Sequence, residues 1–160
     1  KRAMAARAIA ACGGDVAGRT VALLGLTFKP NTDDMREAPS LVIAAELAKA
    51  GAHLRAFDPQ GMEHARPLLP GVTMCADVYD CAHGADALVL VTEWESFRAL
   101  DPDRLKAVMR GAVVVDLRNV YPPAEMRASG FAYHSIGRTV RDDEDASARG
   151  HDLRRRATDT

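Results

Sequence analysis

The chain has 160 residues, of which 48% are hydrophobic and 27% charged, and its formal net charge is −1. This length and composition are typical of one ordinary globular domain and exclude fibrous and collagen-like classes. A net charge this close to zero provides no overall field to attract nucleic acid or an anionic membrane, and the apolar stretches are far shorter than the roughly 18 residues of a membrane span. We therefore expect no nucleic-acid partner and no membrane partner.

The predicted elements begin with a helix from Lys1 to about Ala11. Thr20–Leu24 then forms an unbroken apolar run of the kind that parallel sheets bury on both faces. A helix over Pro39–Ala50 ends at Gly51, the usual residue type after a helix C-terminus, and a strand over His53–Phe57 follows. This succession predicts a βαβ unit, whose two strands pair in parallel.

The same alternation continues along the chain. Further strands are predicted at Ala85–Val91, Ala112–Val115 and Phe131–Ser135. A helix near Asp101–Met109 begins with an aspartate and a proline that suit its N-cap and first turn. Shorter helices are predicted at Gly61–Leu69, Asp77–His83 and Pro122–Ser129. Alternating strands and helices predict an α/β fold, a Rossmann-like three-layer α/β/α domain with a mostly parallel doubly wound sheet.

The composition changes near the end of the chain. From Arg141 to Thr160 the only large aliphatic residue is Leu153, among many Asp, Arg and Ala residues. Such a segment cannot bury enough apolar surface to offset the entropy of ordering it. We predict that 139–160 is a disordered tail, with contact of the basic cluster Arg154–Arg156 to an anionic partner as the alternative.

The three cysteines, Cys12, Cys75 and Cys81, are an odd number without C-x-x-C spacing. This usage is typical of free thiols in a reducing compartment. Since no signal-peptide pattern is present, a cytoplasmic location is expected. We favour a structural role for these cysteines over a redox or metal-binding role.

Cationic residues follow the predicted strand ends, which is where open α/β sheets bind their ligands. Lys29 and Arg36 lie in the loop after Thr20–Leu24, and Arg118 follows Ala112–Val115. The positive N-terminus of the helix near Pro39 is expected beside them. Each side chain could form a charge-assisted hydrogen bond to a phosphate, worth roughly 1.5–3 kcal/mol.

The glycine pattern argues against dinucleotide binding by this domain alone. Gly25 follows the first strand but does not belong to a G-x-G-x-x-G motif, so the turn that admits a pyrophosphate is absent. Asp58 ends the second strand, where a Rossmann domain would have its ribose-binding acid. Because Pro59 follows it, we favour a role in capping a turn or helix.

The segment Gly25–Ser40, in letters GLTFKPNTDDMREAPS, resembles the signature that opens the C-terminal, UDP-sugar-binding domain of the UDP-glucose 6-dehydrogenases, in the UDP-glucose/GDP-mannose dehydrogenase family. The resemblance covers about 1–138. It continues through four shorter motifs, Phe57–Pro59, Thr92–Trp94, Asp116–Asn119 and Ser135–Arg138. One departure is Leu117, where the family often has glycine.

The resemblance implies oxidation of UDP-glucose to UDP-glucuronate with two NAD, shared between an N-terminal NAD-binding domain and a C-terminal nucleotide-sugar-binding domain. This chain resembles only the second domain, and none of its cysteines matches the family's nucleophile. The fragment alone is therefore expected to be inactive, and a homodimer is expected for the full-length protein. Residues 1–18 resemble the end of the inter-domain central helix and a linker, and 19–138 the UDP-sugar-binding domain.

Carried over by motif, Phe28 and Lys29 contact the UDP-sugar, Arg118 binds the substrate and Arg36 reaches NAD. For Phe28 we favour a backbone contact. Trp94 is expected to seal a domain interface rather than to stack on a ligand. The acidic residues beside Arg36 are expected to form local hydrogen bonds rather than a metal site.

Two alternatives remain open. The first is a non-catalytic Rossmann-like module that serves assembly, because the nucleophile and the glycine fingerprint are both absent. The second is the equivalent domain of a dehydrogenase for GDP-mannose or a UDP-N-acetyl sugar, since these enzymes share the architecture.

Overall fold

In the computed structural model, which describes residues 1–136, all strands belong to one parallel sheet. Numbered along the chain, the strands are β1 (Thr20–Leu24), β2 (His53–Phe57), β3 (Thr73–Met74), β4 (Ala87–Leu90), β5 (Val113–Asp116) and β6 (Ala132–Ser135). Their order in the sheet is β3-β2-β1-β4-β5-β6, with every neighbouring pair parallel. The predicted Rossmann-like doubly wound sheet is confirmed.

Helices cover both faces of the sheet. They are α1 (Arg2–Ala11), α2 (Pro39–Lys49), α3 (Met62–Ala65), α4 (Val78–Ala82), α5 (Glu95–Arg98), α6 (Pro102–Val108) and α7 (Pro123–Ala128), with a 3₁₀ turn at Arg66–Leu68. The first three pack on one face of the sheet and the last four on the other. Within residues 1–136, no helix combines the length and the apolar character that crossing a bilayer requires.

The side chains of the central strand β1 contribute to two cores, one on each face of the sheet. Val21 and Leu23 point into the core under α1 and α2, whereas Ala22 and Leu24 point into the core under the later helices. All four side chains are fully buried. A strand buried on both faces must be apolar at every position, which is why this segment reads as a continuous run rather than an alternation. Burying each leucine contributes about 1.5–3 kcal/mol.

Helix α1 docks onto the domain itself. Ala5 and Ala8 are 1% and 0% exposed and pack in the same core as α2, while Met4 and Ile9 lie at its margin. The small side chains of Ala5 and Ala8 allow α1 and α2 to approach each other closely. An exposed ion pair at 3.9 Å between Arg2 and Glu46 adds a weak link.

Several local predictions are confirmed, and others are corrected. The backbone N–H of Asp103 donates to the Asp101 side chain at 3.0 Å, so the predicted cap of α6 is present. The predicted helix over Gly61–Leu69 is instead split into α3 and a 3₁₀ turn, because Pro67 has no N–H to continue the helical ladder. β3 and α5 were not predicted.

The predicted tail, 139–160, lies outside the described residues, as does the Gly137–Arg138 end of the last motif.

Candidate functional site

The strand order reverses between β1 and β4, and this is where a doubly wound sheet presents its ligand crevice. The chain proceeds outward from β1 through β2 to β3 and then returns to β4 on the other side of β1. Because the strands are parallel, the loops after β1, β2, β4 and β5 meet at one edge of the sheet. We call this edge the carboxyl edge; the predicted cationic residues all follow strands that end there.

Gly25 lies where the end of β1 packs against the end of β4. Its φ is +89°, and a Cβ at this position would lie 2.5 Å from the Cβ of Thr92. The Thr92 hydroxyl donates to the carbonyl oxygen of Thr27 at 2.8 Å, which ties the loop after β1 to the end of β4. Only glycine fits here, because it lets the ends of β1 and β4 pack together.

Asp58 is a buried anchor for the loops around the crevice. It is 1% exposed and accepts six hydrogen bonds, most of them from backbone N–H groups. The donors are Leu26 at 2.7 Å, Thr27 at 3.1 and 3.3 Å, Gln60 at 2.9 Å, Gly61 at 2.7 Å and the Trp94 indole at 3.2 Å. The predicted turn-capping role is confirmed by Gln60 and Gly61. The additional bonds to the loop after β1 could not be foreseen from spacing.

The prediction for Trp94 is wrong. Its side chain is 5% exposed and packs in the same core as Phe97, with its indole N–H donating to Asp58. A side chain buried inside its own domain cannot seal an interface with another domain or stack on a ligand. It instead ties the loop after β4 to the Asp58 anchor.

The loop after β1 presents Phe28 and Lys29 at the surface. Phe28 is 50% exposed, and its backbone N–H donates to the carbonyl oxygen of Asp34 at 2.9 Å. The Thr27 hydroxyl donates to the carbonyl oxygen of Lys29 at 3.0 Å, which fixes the backbone that carries the lysine. Within residues 1–136, Lys29 forms no ion pair. Its ammonium group is thus available to a ligand.

Arg36 is held by an acidic neighbour in the same loop. Its guanidinium donates from two nitrogens to the two carboxylate oxygens of Asp34, each at 3.0 Å. This pairing lowers the pKa of Asp34 to about 2, with a contribution from the charge of Lys29. The side chain of Arg36 is 90% exposed. A bidentate pair leaves the other edge of the guanidinium as a planar donor facing solvent.

Backbone strain marks the same loops. Asn31, Glu37 and Asn119 have φ values of +62°, +55° and +54°, in the left-handed region. Asparagine tolerates this conformation, but glutamate does not, so Glu37 stores strain on the order of 1–2 kcal/mol. Non-glycine residues in this region concentrate at ligand-binding sites, and here all three lie in loops of the carboxyl edge.

Arg118 is paired across the edge. Its Nε donates to a carboxylate oxygen of Glu93, which lies just past the neighbouring strand β4. The two side chains are 34% and 28% exposed. The pairing lowers the pKa of Glu93 and raises the pKa of Arg118. This pairing was not predicted, because Glu93 and Arg118 follow different strands and only the sheet order brings them together.

A second buried aspartate organises the loop that carries Arg118. Asp116 is fully buried and accepts hydrogen bonds from the backbone N–H groups of Arg118 at 3.0 Å, Val120 at 2.8 Å and Tyr121 at 2.9 Å, and from the Tyr133 hydroxyl at 2.6 Å. Leu117 donates its N–H to the carbonyl oxygen of Leu90 at 3.1 Å and buries its side chain in the core. A leucine therefore fits where the family often has glycine.

The three predicted cationic residues divide into two groups. Arg36 lines an open groove of about 650 Å³, together with Thr32, Asp33, Asp34, Met35, Glu37, Leu41, His64 and Leu68. Lys29 and Arg118 do not line this groove. In the described part of the chain, no three His, Cys, Asp or Glu side chains are grouped closely enough to hold a metal ion.

Comparison with known proteins gives consistent results. Residues 22–123 match the UDP binding domain of the UDP-glucose/GDP-mannose dehydrogenase family. UDP-glucose 6-dehydrogenase of Rhizobium meliloti is 54% identical over 138 residues, which are 86% of this chain and 32% of the relative. The corresponding enzyme of Pseudomonas aeruginosa is 48% identical over 127 residues, 76% of this chain and 28% of the relative. The chain thus spans about a third of the length of these curated relatives.

Two solved structures share the architecture. A UDP-glucose dehydrogenase from Pyrobaculum islandicum superposes with a TM-score of 0.71 at 33% identity, covering 86% of this chain and 29% of that protein. An NDP-N-acetyl-D-galactosaminuronic acid dehydrogenase from Methanosarcina mazei superposes with a TM-score of 0.74 at 31% identity, covering 88% and 29%. The sheet order and these matches agree, and the chain belongs to the UDP-glucose/GDP-mannose dehydrogenase family as its UDP-binding domain.

Proposed function

We propose that this chain is the nucleotide-sugar-binding part of an NAD-dependent UDP-glucose 6-dehydrogenase, which oxidises UDP-glucose to UDP-glucuronate. The observation that carries the proposal is the match of residues 22–123 to a UDP-binding domain. The 54% identity to a UDP-glucose 6-dehydrogenase supports glucose as the sugar. In this proposal 1–18 is the end of an inter-domain helix, 19–138 is the substrate domain and 139–160 is a tail.

Lys29 and Phe28 are proposed to contact the UDP-sugar from the loop after β1. Lys29 is exposed and forms no ion pair within residues 1–136, so an anionic ligand need not displace an existing partner. A compact ammonium suits a single phosphate or sugar oxygen. Because the N–H of Phe28 already bonds Asp34, its backbone can offer a ligand only the carbonyl oxygen, while its exposed ring offers a flat apolar surface.

Arg118 is proposed to bind the substrate through its planar guanidinium. Its Nε is engaged by Glu93, so the terminal nitrogens remain as donors for a ligand. Glu93 also fixes the plane of the guanidinium before the ligand arrives. Such preorganisation reduces the side-chain entropy lost on binding.

Arg36 is proposed to make an accessory contact to NAD from the neighbouring groove. The described residues contain no G-x-G-x-x-G turn of the kind that binds a dinucleotide. NAD is therefore proposed to bind mainly to an N-terminal domain of the same enzyme, with the catalytic cysteine in the central region and the full-length protein forming a homodimer. When bound, NAD accepts the hydride in each oxidation step.

Isothermal titration of the chain with UDP-glucose, UMP and NAD in separate runs tests the proposal. We expect UDP-glucose and UMP to bind and NAD to bind much more weakly. Lys29→Ala should reduce UDP-glucose affinity by about 10-fold, the loss of one charge-assisted hydrogen bond. Lys49→Ala, which removes the same charge from the opposite edge of the sheet, is the matched control.

Arg118→Ala is tested in the same way, with Arg110→Ala as its control. Arg110 is also ion-paired, to Asp86 at the opposite edge of the sheet, so the control removes a comparable pair. Equal UDP-glucose affinity in Lys29→Ala, Arg118→Ala and the parent chain would contradict the proposed site and favour the assembly-module alternative.

A different nucleotide sugar is the second candidate substrate. The Methanosarcina mazei structure at a TM-score of 0.74 is named for an NDP-N-acetyl sugar product, so the fold alone does not select glucose. Titration with a UDP-N-acetyl sugar and with GDP-mannose distinguishes the candidates. We expect UDP-glucose to bind most tightly, and a tighter fit of either competitor would reassign the substrate.

A further inference from the structure

Residues 92–94, which follow β4, lie between the two loops that are proposed to bind the substrate. In the sheet, β4 is flanked by β1, whose loop carries Lys29, and by β5, whose loop carries Arg118. Since neighbouring strands are about 4.8 Å apart, the ends of β1 and β5 are separated by roughly 9–10 Å, with the end of β4 between them. Residues 92–94 can therefore contact both loops, and we call them the bridging segment.

Buried contacts attach the bridging segment to the loop after β1. The Thr92 hydroxyl donates to the carbonyl oxygen of Thr27 at 2.8 Å. The Trp94 indole donates at 3.2 Å to Asp58, which also accepts the backbone N–H of Thr27 at 3.1 Å. Thr92 and Trp94 are both buried, so the segment is fixed to this loop by the residues on each side of Glu93.

Glu93 connects the same segment to the loop after β5. Its carboxylate accepts a hydrogen bond from the Nε of Arg118, and both side chains are partly exposed. The backbone N–H of Arg118 donates to Asp116 at 3.0 Å, which fixes the start of the side chain. A guanidinium can bind two oxygens of one anion through Nε and a terminal nitrogen, or through its two terminal nitrogens. Because Glu93 occupies Nε, the edge formed by the terminal nitrogens is left for a ligand.

The ion pair of Arg36 provides a contrast. Its Nε and one terminal nitrogen donate to Asp34, two positions earlier in the same loop. Such a local pair fixes no distance between loops. Glu93 and Arg118 follow different strands, so their pair fixes the position of one strand end relative to another.

The charge of Glu93 opposes an anionic ligand. A carboxylate near a bound phosphate repels it, so by charge alone the removal of Glu93 would strengthen binding. A positioning role predicts the opposite direction, because an arginine that is held in place before binding loses less side-chain entropy when the ligand arrives. The direction of the change in affinity therefore separates the two effects.

We propose that Glu93 is a positioning residue, which holds the guanidinium of Arg118 at a fixed distance from the loop of Lys29 so that both cations engage one nucleoside diphosphate. This inference rests on the proposed function. The ligand meets the terminal nitrogens of Arg118, and Glu93 itself does not touch it. A nucleoside monophosphate has one phosphate, needs only one of the two cations and gains little from the fixed distance.

Calorimetric titration of the 160-residue chain with UDP-glucose, UDP and UMP tests the inference. Glu93→Ala should weaken binding of UDP-glucose and UDP by about two- to tenfold, the entropic cost of ordering one long side chain, and binding of UMP by less than about twofold. Glu93→Gln keeps an acceptor oxygen for Nε, so its affinities should fall between those of the parent and Glu93→Ala. Glu95→Ala is the matched control, because Glu95 also pairs with the Nε of an arginine, Arg98 at 3.4 Å, and should leave all three affinities unchanged.

The same titration in an Arg118→Ala background shows whether Glu93 acts through Arg118. Adding Glu93→Ala there should cause no further loss of UDP-glucose affinity. A second readout is the NMR signal of the Arg118 Nε–H in the ligand-free chain. We expect it to be sharp in the parent and in Glu95→Ala, and broadened by solvent exchange in Glu93→Ala.

Four results would overturn the positioning role while leaving the proposed function in place. They are unchanged or tighter UDP-glucose binding by Glu93→Ala, equal losses for UDP-glucose and UMP, a further loss in the Arg118→Ala background, and a sharp Arg118 signal in Glu93→Ala. In each of these cases the parent chain still binds UDP-glucose. A parent chain that binds neither UDP nor UDP-glucose would instead overturn the proposed function, and this inference with it.

Discussion

Two buried aspartates organise the carboxyl edge in different ways. Asp58 accepts hydrogen bonds from residues 32 positions before it and 36 positions after it, in the loops that follow β1 and β4. Asp116 accepts mainly from its own loop, up to five positions ahead, and reaches farther only to Tyr133, 17 positions away. We call these the Asp58 network and the Asp116 network.

The two networks hold the loops of Lys29 and Arg118 in different ways. The Asp58 network joins three strand ends, so the loop that carries Lys29 depends on the packing of the whole domain. The Asp116 network shapes one loop, and Arg118 is oriented separately by Glu93. Lys29, which forms no ion pair within residues 1–136, is thus positioned through its backbone, whereas Arg118 is positioned through both its backbone N–H and its side chain.

The comparison is tested most strongly by removing each carboxylate. Asp58→Ala leaves four buried N–H groups and the part-buried N–H of Gln60 without their acceptor, and each buried group costs about 1–3 kcal/mol unless water replaces it. We expect Asp58→Ala to lower the free energy of unfolding by about 4–5 kcal/mol and Asp116→Ala by about 3 kcal/mol. Urea unfolding monitored by circular dichroism measures both. A smaller loss for Asp58→Ala than for Asp116→Ala would contradict the wider reach of the Asp58 network.

Gly25→Ala tests the strand contact that lies beside the Asp58 network. The new Cβ would be forced into a left-handed conformation and within 2.5 Å of Thr92. Strain and overpacking together should lower the free energy of unfolding by about 2–4 kcal/mol. Gly84→Ala is a matched control, since its φ is +70° but nothing lies within 4 Å of the added carbon. Equal losses in the two variants would mean that the contact with Thr92 is unimportant.

Tyr133→Phe sharpens the description of the Asp116 network. The hydroxyl of Tyr133 donates to Asp116 at 2.6 Å and lies 3.1 Å from the carbonyl oxygen of Tyr121. Its removal leaves the three backbone donors to Asp116 in place, so the expected loss of unfolding free energy is only about 1–2 kcal/mol. Thermal unfolding followed by calorimetry checks this. A loss as large as that of Asp116→Ala would assign the whole network to one hydroxyl.

Glu93→Gln should have the smallest effect, and it depends on pH. The exposed position of the pair with Arg118 limits its contribution at pH 7 to about 1 kcal/mol or less. Because the folded protein lowers the pKa of Glu93, this stability is present above the ordinary value of 4.5 and is lost as pH falls through the lowered one. The difference in unfolding free energy between parent and variant should therefore shrink below pH 4.5. A constant difference would show that the carboxylate charge is not what matters.

The sequence predicted the strong elements of the fold. β1, β4 and β5 are largely apolar runs, β2 follows a helix that stops before Gly51, and α6 carries its own cap and proline. β3 was missed because two residues at a sheet edge leave no hydrophobic pattern, and α5 because four residues are less than a convincing helical period. Short elements are created by tertiary packing rather than by local preference.

The candidate site was predicted only in part. That Lys29, Arg36 and Arg118 follow strand ends could be read from spacing, and so could the turn at Asp58. The carboxylate that accompanies Arg118 could not, because Glu93 lies on a different strand end and only the sheet order brings them together. For the same reason Trp94 was assigned to the outside of the domain, although its polar end meets Asp58 inside it.

The central position of β1 also affects how the domain is made on the ribosome. Its two neighbours, β2 and β4, are synthesised later, and the second edge of β1 is covered only after Leu90 has emerged. At roughly 5–20 residues per second, the interval between Leu24 and Leu90 lasts on the order of 3–13 seconds. Throughout that time a strand that is apolar from Val21 to Leu24 has an open edge that can pair with another nascent chain. The feature that makes the finished sheet stable therefore makes the unfinished one dependent on protection during translation.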